Sequence, residues 1–441
     1  MNPETLGVIQ LLVLTLAIFI GFPTAFTLLG LGLVFGTLGI GWGPELFNLM
    51  AIRTFQVMTN DVLISIVLFV FMGYVLERSG VMDRLFHAIL VASGPLPGSL
   101  ALATVITCTI FAMATGIIGA SVTIMGLLAL PPMLRLRYDK RLATGSVAAG
   151  GTLGILIPPS VLLILYAANA GISIVKLYLA AFIPGFLLAG LYVLYILVRA
   201  LLRPDLSPPL PKEERNYTVP QILGMLATGV LPISLLILAV LGSIVAGLAA
   251  PTEAAAMGAL GALALSAAYR RLTWQALRES VYHSLRTSST VLFLFVGSNI
   301  FSAVFARLGG SRVIEQFITG LGLTGPQFLW LMLIVVFLLG WPLEWTEIII
   351  IFMPLFWPLA QGYGIDPIWL GVLVAVNLQT AFLSPPVAMA AFYIKGVAPP
   401  GVLLSDIWWG MMPFLGLQLV ALLLVYFFPQ LALWLPSVLI Q

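Results

Sequence analysis

Long apolar runs, each closed by glycine, proline or a charged residue, recur along the 441-residue chain. Runs long enough to span a bilayer lie near 5–21, 23–41, 61–77, 142–170, 177–202, 221–248, 252–269, 288–306, 367–394 and 410–433. An apolar helix of about 20 residues crosses a bilayer, so the pattern predicts an all-α polytopic membrane protein. Two further apolar stretches, 99–134 and 326–362, are interrupted near their middles and predict hairpins of two short helices. Segments 44–60 and 272–287 are mixed in polarity, and each precedes a spanning run. They are read either as amphipathic helices lying along the interface or as plain loops. The opening MNPETLGVIQ carries Glu4 where a signal peptide has Lys or Arg, so 1–20 is expected to stay as a helix. The least apolar stretch, 203–218, holds prolines and both signs of charge. It predicts two units, 1–203 and 219–441, joined by a cytoplasmic linker at 204–218.

Composition narrows the class. Hydrophobic residues make up 61% and charged residues 8%, with mean hydropathy +1.14. A soluble domain averages about 25% charged residues, so a soluble enzyme, a disordered chain and a nucleic-acid binder are excluded, and lipid is the expected surround. The single cysteine, Cys108, permits no internal disulfide, and His87 and His283 are too few and too scattered for a histidine metal site.

The two units repeat each other. Pro158-Pro159 matches Pro385-Pro386 at an offset of 227, and Asp139/Asp366, Pro131/Pro358 and Gly98/Gly325 keep the same offset. Arg78-Ser79-Gly80 matches Arg307-Leu308-Gly309 at 229. If each hairpin enters and leaves on one side, each unit makes five crossings, an odd number that inverts the second unit. Of the 19 Lys and Arg, 15 then fall inside and 4 (Arg53, Lys176, Arg307, Arg312) outside, as the positive-inside rule favours. Single crossings in place of the hairpins would put the basic residues of 135–141 outside.

The proline pairs point to chemistry. Neither Pro158 nor Pro159 has an N–H, so the Gly154 and Ile155 carbonyls lose their helical partners. In a membrane, protein, water or an ion must take that place. A sodium ion accepts such oxygens, and the Thr152 and Ser160 hydroxyls stand beside them. The second unit repeats this: Pro385 and Pro386 free Ala381 and Phe382, with Gln379, Thr380 and Ser384 adjacent. A plain proline kink is the alternative. Each hairpin tip is expected to face its break. The first, Ala114 to Ser121 and then Thr123, is small and hydroxyl-rich, which suits ligation or tight helix packing. The second, Gly340-Trp341-Pro342-Leu343-Glu344-Trp345-Thr346-Glu347, holds two acids that either form a site or cap the second arm. Inverted repeats with interrupted helices are the pattern of secondary transporters with a midplane site. The substrate pocket is expected between the breaks, lined by Thr123, Pro159, Ser160, Asn377, Pro385 and Pro386. Lys and Arg are absent from 85–134, 142–175 and 313–394, which favours a neutral or anionic solute moved with sodium. Elsewhere, Thr252 is expected to cap a helix with Glu253 in its first turn. His87 reads as a surface histidine, and the tryptophans at 341, 345, 408 and 409 as interfacial anchors.

Gly151-Thr152-Leu153-Gly154-Ile155-Leu156-Ile157-Pro158-Pro159-Ser160, preceded by Tyr138-Asp139-Lys140-Arg141, resembles the large membrane subunit of tripartite ATP-independent periplasmic (TRAP) transporters. So do Gly364-Ile365-Asp366-Pro367, Asn377-Leu378, Ser384-Pro385-Pro386-Val387 and Pro251-Thr252-Glu253-Ala254. The resemblance implies an elevator-type fold related to divalent anion/sodium symporters, in the bacterial inner membrane. It also implies sodium-driven uptake of organic acids, a small four-helix membrane partner and a periplasmic substrate-binding protein. Carried over, the sodium sites are Thr115, Gly116, Gly119 and Ser121 with Thr152, Gly154 and Pro158, and Glu344 and Thr346 with Gln379, Thr380 and Ser384. The chain departs from the family at both tips. Thr-Gly-Ile-Ile-Gly-Ala-Ser replaces a serine-rich Ser-Gly-Ser-Ser, and Trp345-Thr346 stands where a Pro-Thr pair and a nearby Asp are common. A self-sufficient sodium/dicarboxylate-type symporter is the second reading. A membrane enzyme, the third, has no nucleophile–base or metal constellation to support it.

Overall fold

The structure is a computed structural model that describes residues 2–116 and 118–440. Ile117, within the first tip, lies outside the described residues. All regular elements among the described residues are helical. The first unit runs α1 (Pro3–Ile20), α2 (Thr24–Gly39), α3 (Pro44–Met58), α4 (Asp61–Arg78) and α5 (Val81–Ser93). A hairpin follows, α6 (Ser99–Thr115) with α7 (Ile118–Arg135), then a broken helix, α8 (Lys140–Thr152) with α9 (Val161–Ala170), and the long α10 (Ile174–Leu202). The second unit runs α11 (Val219–Gly229), α12 (Leu231–Val245), α13 (Pro251–Ala268), α14 (Trp274–Arg307) and α15 (Gly310–Gly320). Its hairpin pairs α16 (Gly325–Leu339) with α17 (Trp345–Glu347), a π-helical turn Ile348–Phe352, and α18 (Met353–Gly362). A second broken helix, α19 (Pro367–Leu383) with α20 (Met389–Val397), leads to α21 (Leu404–Phe427) and α22 (Gln430–Leu439).

Local chemistry explains the matched boundaries. Asp139 caps α8 by accepting from the Leu142 N–H at 2.8 Å, and Asp366 caps α19 by accepting from the Ile368 and Trp369 N–H groups at 2.8 and 2.9 Å. Each gives an orphan helix start its acceptor. Gly80 and Gly309 take left-handed φ of 71° and 83° at the starts of α5 and α15, a conformation glycine adopts without a Cβ penalty. Seven helices among the described residues have the length and apolarity to cross a membrane. That is fewer than the ten expected runs, because α2, α9, α19 and other apolar helices are 17 residues or shorter.

Two expectations change. Segment 272–287 is not a separate interfacial helix: it forms the first turns of α14, continuous over 34 residues. Its counterpart in the first unit is bent by 53° between α3 and α4. There Asn60 accepts from the Val62 N–H at 3.1 Å and starts a new helix, whereas the second unit carries Ser288-Ser289-Thr290, and Thr290 bonds back to the Arg286 carbonyl at 2.9 Å within one helix. The cap of α13 is Ala250, not Thr252, because Pro251 occupies the first turn. Glu253 accepts from the Ala250 N–H at 2.8 Å. The segment 203–218 is bound down, its Ser207 and Leu206 carbonyls accepting from the Gly98 and Asp139 N–H groups, both at 2.8 Å. Arg135 adds an ion pair to Glu214 at 2.8 Å.

One apolar core runs through both units. In its middle, α8 packs on α6, α7 and α21, and α19 packs on α16, α10 and α21. The distal halves of the broken helices exchange partners: α9 packs on α17, the π turn and α18, while α20 packs on α7. Around this bundle, α4 joins α13 and α14, and α2 lies along α14.

Candidate functional site

Both breaks fall where the sequence places them. α8 ends at Thr152, a single 3-10 turn (Leu153–Ile155) follows, and α9 restarts at Val161 with Ser160 as its cap. α19 ends at Leu383 and α20 restarts at Met389. The Pro158-Pro159 and Pro385-Pro386 bonds are both cis.

The first break is packed solid, with every residue from 151 to 160 buried. Tip and break meet there: a methyl placed on Gly116 would lie 3.7 Å from the Pro159 carbonyl and the Val161 nitrogen. The Thr115 and Ser121 hydroxyls are 3.4 Å apart, and Gly154 faces Ala112 of the first arm. Thr115, Gly116, Ser121, Thr152, Gly154 and Pro158 are thus gathered in one region. The shell is less open than expected, because Ser160 donates its hydroxyl to the Ile155 carbonyl and accepts from the Leu163 N–H at 3.4 Å. One of the two carbonyls freed by the prolines is therefore answered from within the chain. Thr152 donates to the Ala149 carbonyl at 2.9 Å.

The second break is more open: Pro386 is exposed and Pro385 partly so. Gly340 abuts it, since a methyl there would lie 2.6 Å from Ala381 Cβ. Trp341 donates its indole N–H to Ser384 at 3.2 Å, and of the four tryptophans singled out only Trp409 is exposed. Gln379 is wholly buried, and both ends of its amide are unpartnered. A buried amide without partners costs roughly 1–3 kcal/mol, and its oxygen is an acceptor that a cation or water could use. Thr346 and Thr380 are also buried, Thr380 donating to the Asn377 carbonyl at 2.5 Å.

The two acids have different work. Glu347 accepts from the Glu344 N–H at 3.1 Å and from the Thr24 hydroxyl at the start of α2. Capping thus holds for Glu347, while Glu344 is exposed and borders a cavity of about 80 Å³. Trp341, Leu343, Trp345, Phe382 and Met389 line the same cavity. None of Thr123, Pro159, Ser160, Asn377, Pro385 and Pro386 lines it. Ser160 is committed as above, and Asn377 donates to the Leu333 carbonyl at 2.7 Å, pinning α16 to α19. The open space therefore lies beside the second break rather than between the two.

Sequence reading missed two features. Tyr393 of α20 sits against the first tip, where a methyl on Gly119 would lie 3.2 Å from its ring. Its counterpart at the repeat offset is Tyr166, whose hydroxyl donates to the Pro367 carbonyl at 3.2 Å; extending the offset to tyrosines would have found the pair. The second feature is the π turn. Its Ile349 carbonyl accepts from Asn169 at 2.7 Å and its Ile350 carbonyl from Ser298 at 2.6 Å. Side chains from α9 and α14 thus take oxygens that a regular helix uses itself, and nothing in the Ile-rich sequence marks this.

Comparison with known proteins bears on the whole chain. The family model described as the DctM component of the tripartite ATP-independent periplasmic transporter matches residues 11–431. The C4-dicarboxylate TRAP transporter large permease protein DctM of Pseudomonas aeruginosa is 32% identical, over 90% of this chain and 91% of that one. The sialic acid large permease protein SiaM of Vibrio cholerae is 27% identical, over 95% and 96%. Among solved structures, the Alcanivorax borkumensis YdaH transporter superposes with a TM-score of 0.56 at 16% identity, over 98% of this chain and 100% of that one. That last likeness concerns the fold alone.

Proposed function

The chain belongs to the DctM component family of tripartite ATP-independent periplasmic transporters, and from that premise we propose that it imports a small organic acid by coupling to sodium. It is a multi-pass inner-membrane protein and a transporter's large permease. A periplasmic binding protein delivers the acid, and a small four-helix subunit completes the assembly. The two halves are inverted repeats, and sodium binds at the tips and breaks. The hairpins and broken helices then move as one body against α2, α4, α13 and α14.

The observation that carries this reading is the meeting of a hairpin tip with a helix break in each unit, beside a buried Gln379 amide with no partner. Interrupted helices present backbone oxygens to a cation and helix starts to an anion at one depth. No Lys or Arg lies in 313–394, so a bound cation is the natural counter-charge for an anionic cargo.

Uptake into proteoliposomes holding the full assembly tests this. An inward sodium gradient should drive accumulation of the acid only when the binding protein is present. Equal uptake in potassium contradicts the coupling, and full uptake without the binding protein favours a self-sufficient symporter. Pairing Ser298→Cys with Ile350→Cys, which straddle the scaffold and the π turn, should halt uptake on oxidation and restore it on reduction. Uptake indifferent to a formed cross-link contradicts the moving bundle.

A further inference from the structure

The first turns of α14 carry chemistry that movement of a cargo does not use. At 1.5 Å per residue, the 34 residues of this helix extend about 51 Å, against roughly 30 Å of hydrocarbon. Its beginning therefore stands at headgroup level, on the arginine-rich inner side of the membrane. Two opposed stripes run along it there. Ser280, Ser284 and Ser288, one turn apart, are buried. Ser280 donates to the Tyr74 carbonyl at 3.3 Å, the Tyr74 and Thr287 hydroxyls share a hydrogen bond of 3.0 Å, and Arg78 pairs with Glu279 at 3.2 Å. That stripe faces α4, and small hydroxyl side chains permit such close packing in lipid. Trp274, Arg278, Tyr282 and Arg286, also one turn apart and about 200° around the helix from the serines, are all exposed. Trp274 is 78% exposed and Tyr282 61%. Nothing in the chain neutralises the two arginines. Glu279, the one acid of these turns, is taken by Arg78, and among the described residues neither Arg278 nor Arg286 has a carboxylate at ion-pair distance. Arg278 lies instead over the Tyr282 ring, 5.5 Å from its centre, a contact that holds a guanidinium at the surface.

We propose that this outer stripe binds the headgroup of an anionic phospholipid in the inner leaflet. Arg278 and Arg286 donate to phosphate oxygens, for which a guanidinium offers a two-pronged fork. Trp274 and Tyr282 lie where headgroups meet acyl chains, the level at which amphipathic rings settle. Lipid fits this face because its two free positive charges match a phosphodiester, and because the stripe runs on through the exposed Thr290 and Phe293 into the apolar part of the same helix. The binding depends on neither cargo nor sodium. It gives α14, part of the frame in the proposed movement, a fixed depth in the membrane.

Native mass spectrometry of the purified full-length protein in mild detergent, titrated with phosphatidylglycerol, phosphatidylcholine or inorganic phosphate, tests the assignment. Wild type should retain phosphatidylglycerol in preference to phosphatidylcholine. Arg278→Gln and Arg286→Gln, both at exposed positions, should each raise the half-saturating phosphatidylglycerol concentration about five-fold, and together they should remove the preference. Arg312→Gln, at an exposed position of α15, should change nothing. Wild-type retention of phosphatidylglycerol by the double variant overturns the proposal. An equal loss in Arg312→Gln does so too, since overall charge alone then governs binding. Displacement of the lipid by inorganic phosphate at the same concentration assigns the arginines to a soluble anion. Release of the lipid from wild type on addition of the small membrane subunit assigns the face to a protein partner. Either result overturns the lipid site.

Discussion

At the scale of single residues, the site depends on which polar groups are already spoken for. Ser160 shows this best. The double proline removes two N–H donors, and one of the two stranded carbonyls, that of Ile155, is met by the Ser160 hydroxyl, which also caps α9. Ser160→Ala leaves a buried carbonyl and a helix-start N–H unmatched together, at a cost of roughly 1–3 kcal/mol. A lower thermal midpoint in detergent is the expected outcome, with Ser160→Thr restoring it; an unchanged midpoint for the alanine variant contradicts the role. Residue types, but not their partners, were readable in the sequence. The proline pairs, the hydroxyls beside them and the Asp139 and Asp366 caps all follow from local rules. That Asn377 serves Leu333, that Thr24 takes one side of Glu347 and that Trp341 turns inward to Ser384 depend on neighbours 43 to 323 positions away, which no local pattern encodes.

Among elements, the paired hairpins and broken helices were legible because glycine and proline act through the backbone itself. The continuity of α14 was not, since polarity marks where a helix meets water and not where it ends. α5 and α15 were overlooked for the opposite reason: they are short and lie between stronger signals. Packing between elements follows close backbone approach. α8 crosses α21 at a glycine pair, and a methyl on Gly145 would lie 2.1 Å from the Gly410 carbonyl oxygen. Such overpacking against backbone costs typically 1–3 kcal/mol, roughly, and occasionally more. Gly145→Ala should therefore lower the thermal midpoint clearly. Gly190→Ala, in open space on α10, should be neutral or slightly stabilising, because alanine favours helix by about 1 kcal/mol over glycine. Equal behaviour of the two variants contradicts the crossing.

For the molecule as a whole, the two units are intertwined rather than side by side. α9 of the first unit packs on the second hairpin, and α20 of the second packs on the first, with Tyr393 set against the first tip. The two sets of hairpin and broken helix differ in openness, which the sequence does not mark. The first break is closed by its own side chains and the second keeps a cavity, because Trp341 and Gly340 hold the tip against Ala381 and Ser384 without filling the space beside Glu344. Sodium-dependent thermal stabilisation of the purified protein, compared between wild type and Gln379→Leu, tests this arrangement most directly. Sodium, and not potassium, should raise the wild-type midpoint saturably, and Gln379→Leu should shift half-saturation upward by about ten-fold. Identical curves for the two cations, or for the two proteins, contradict a cation held at the breaks.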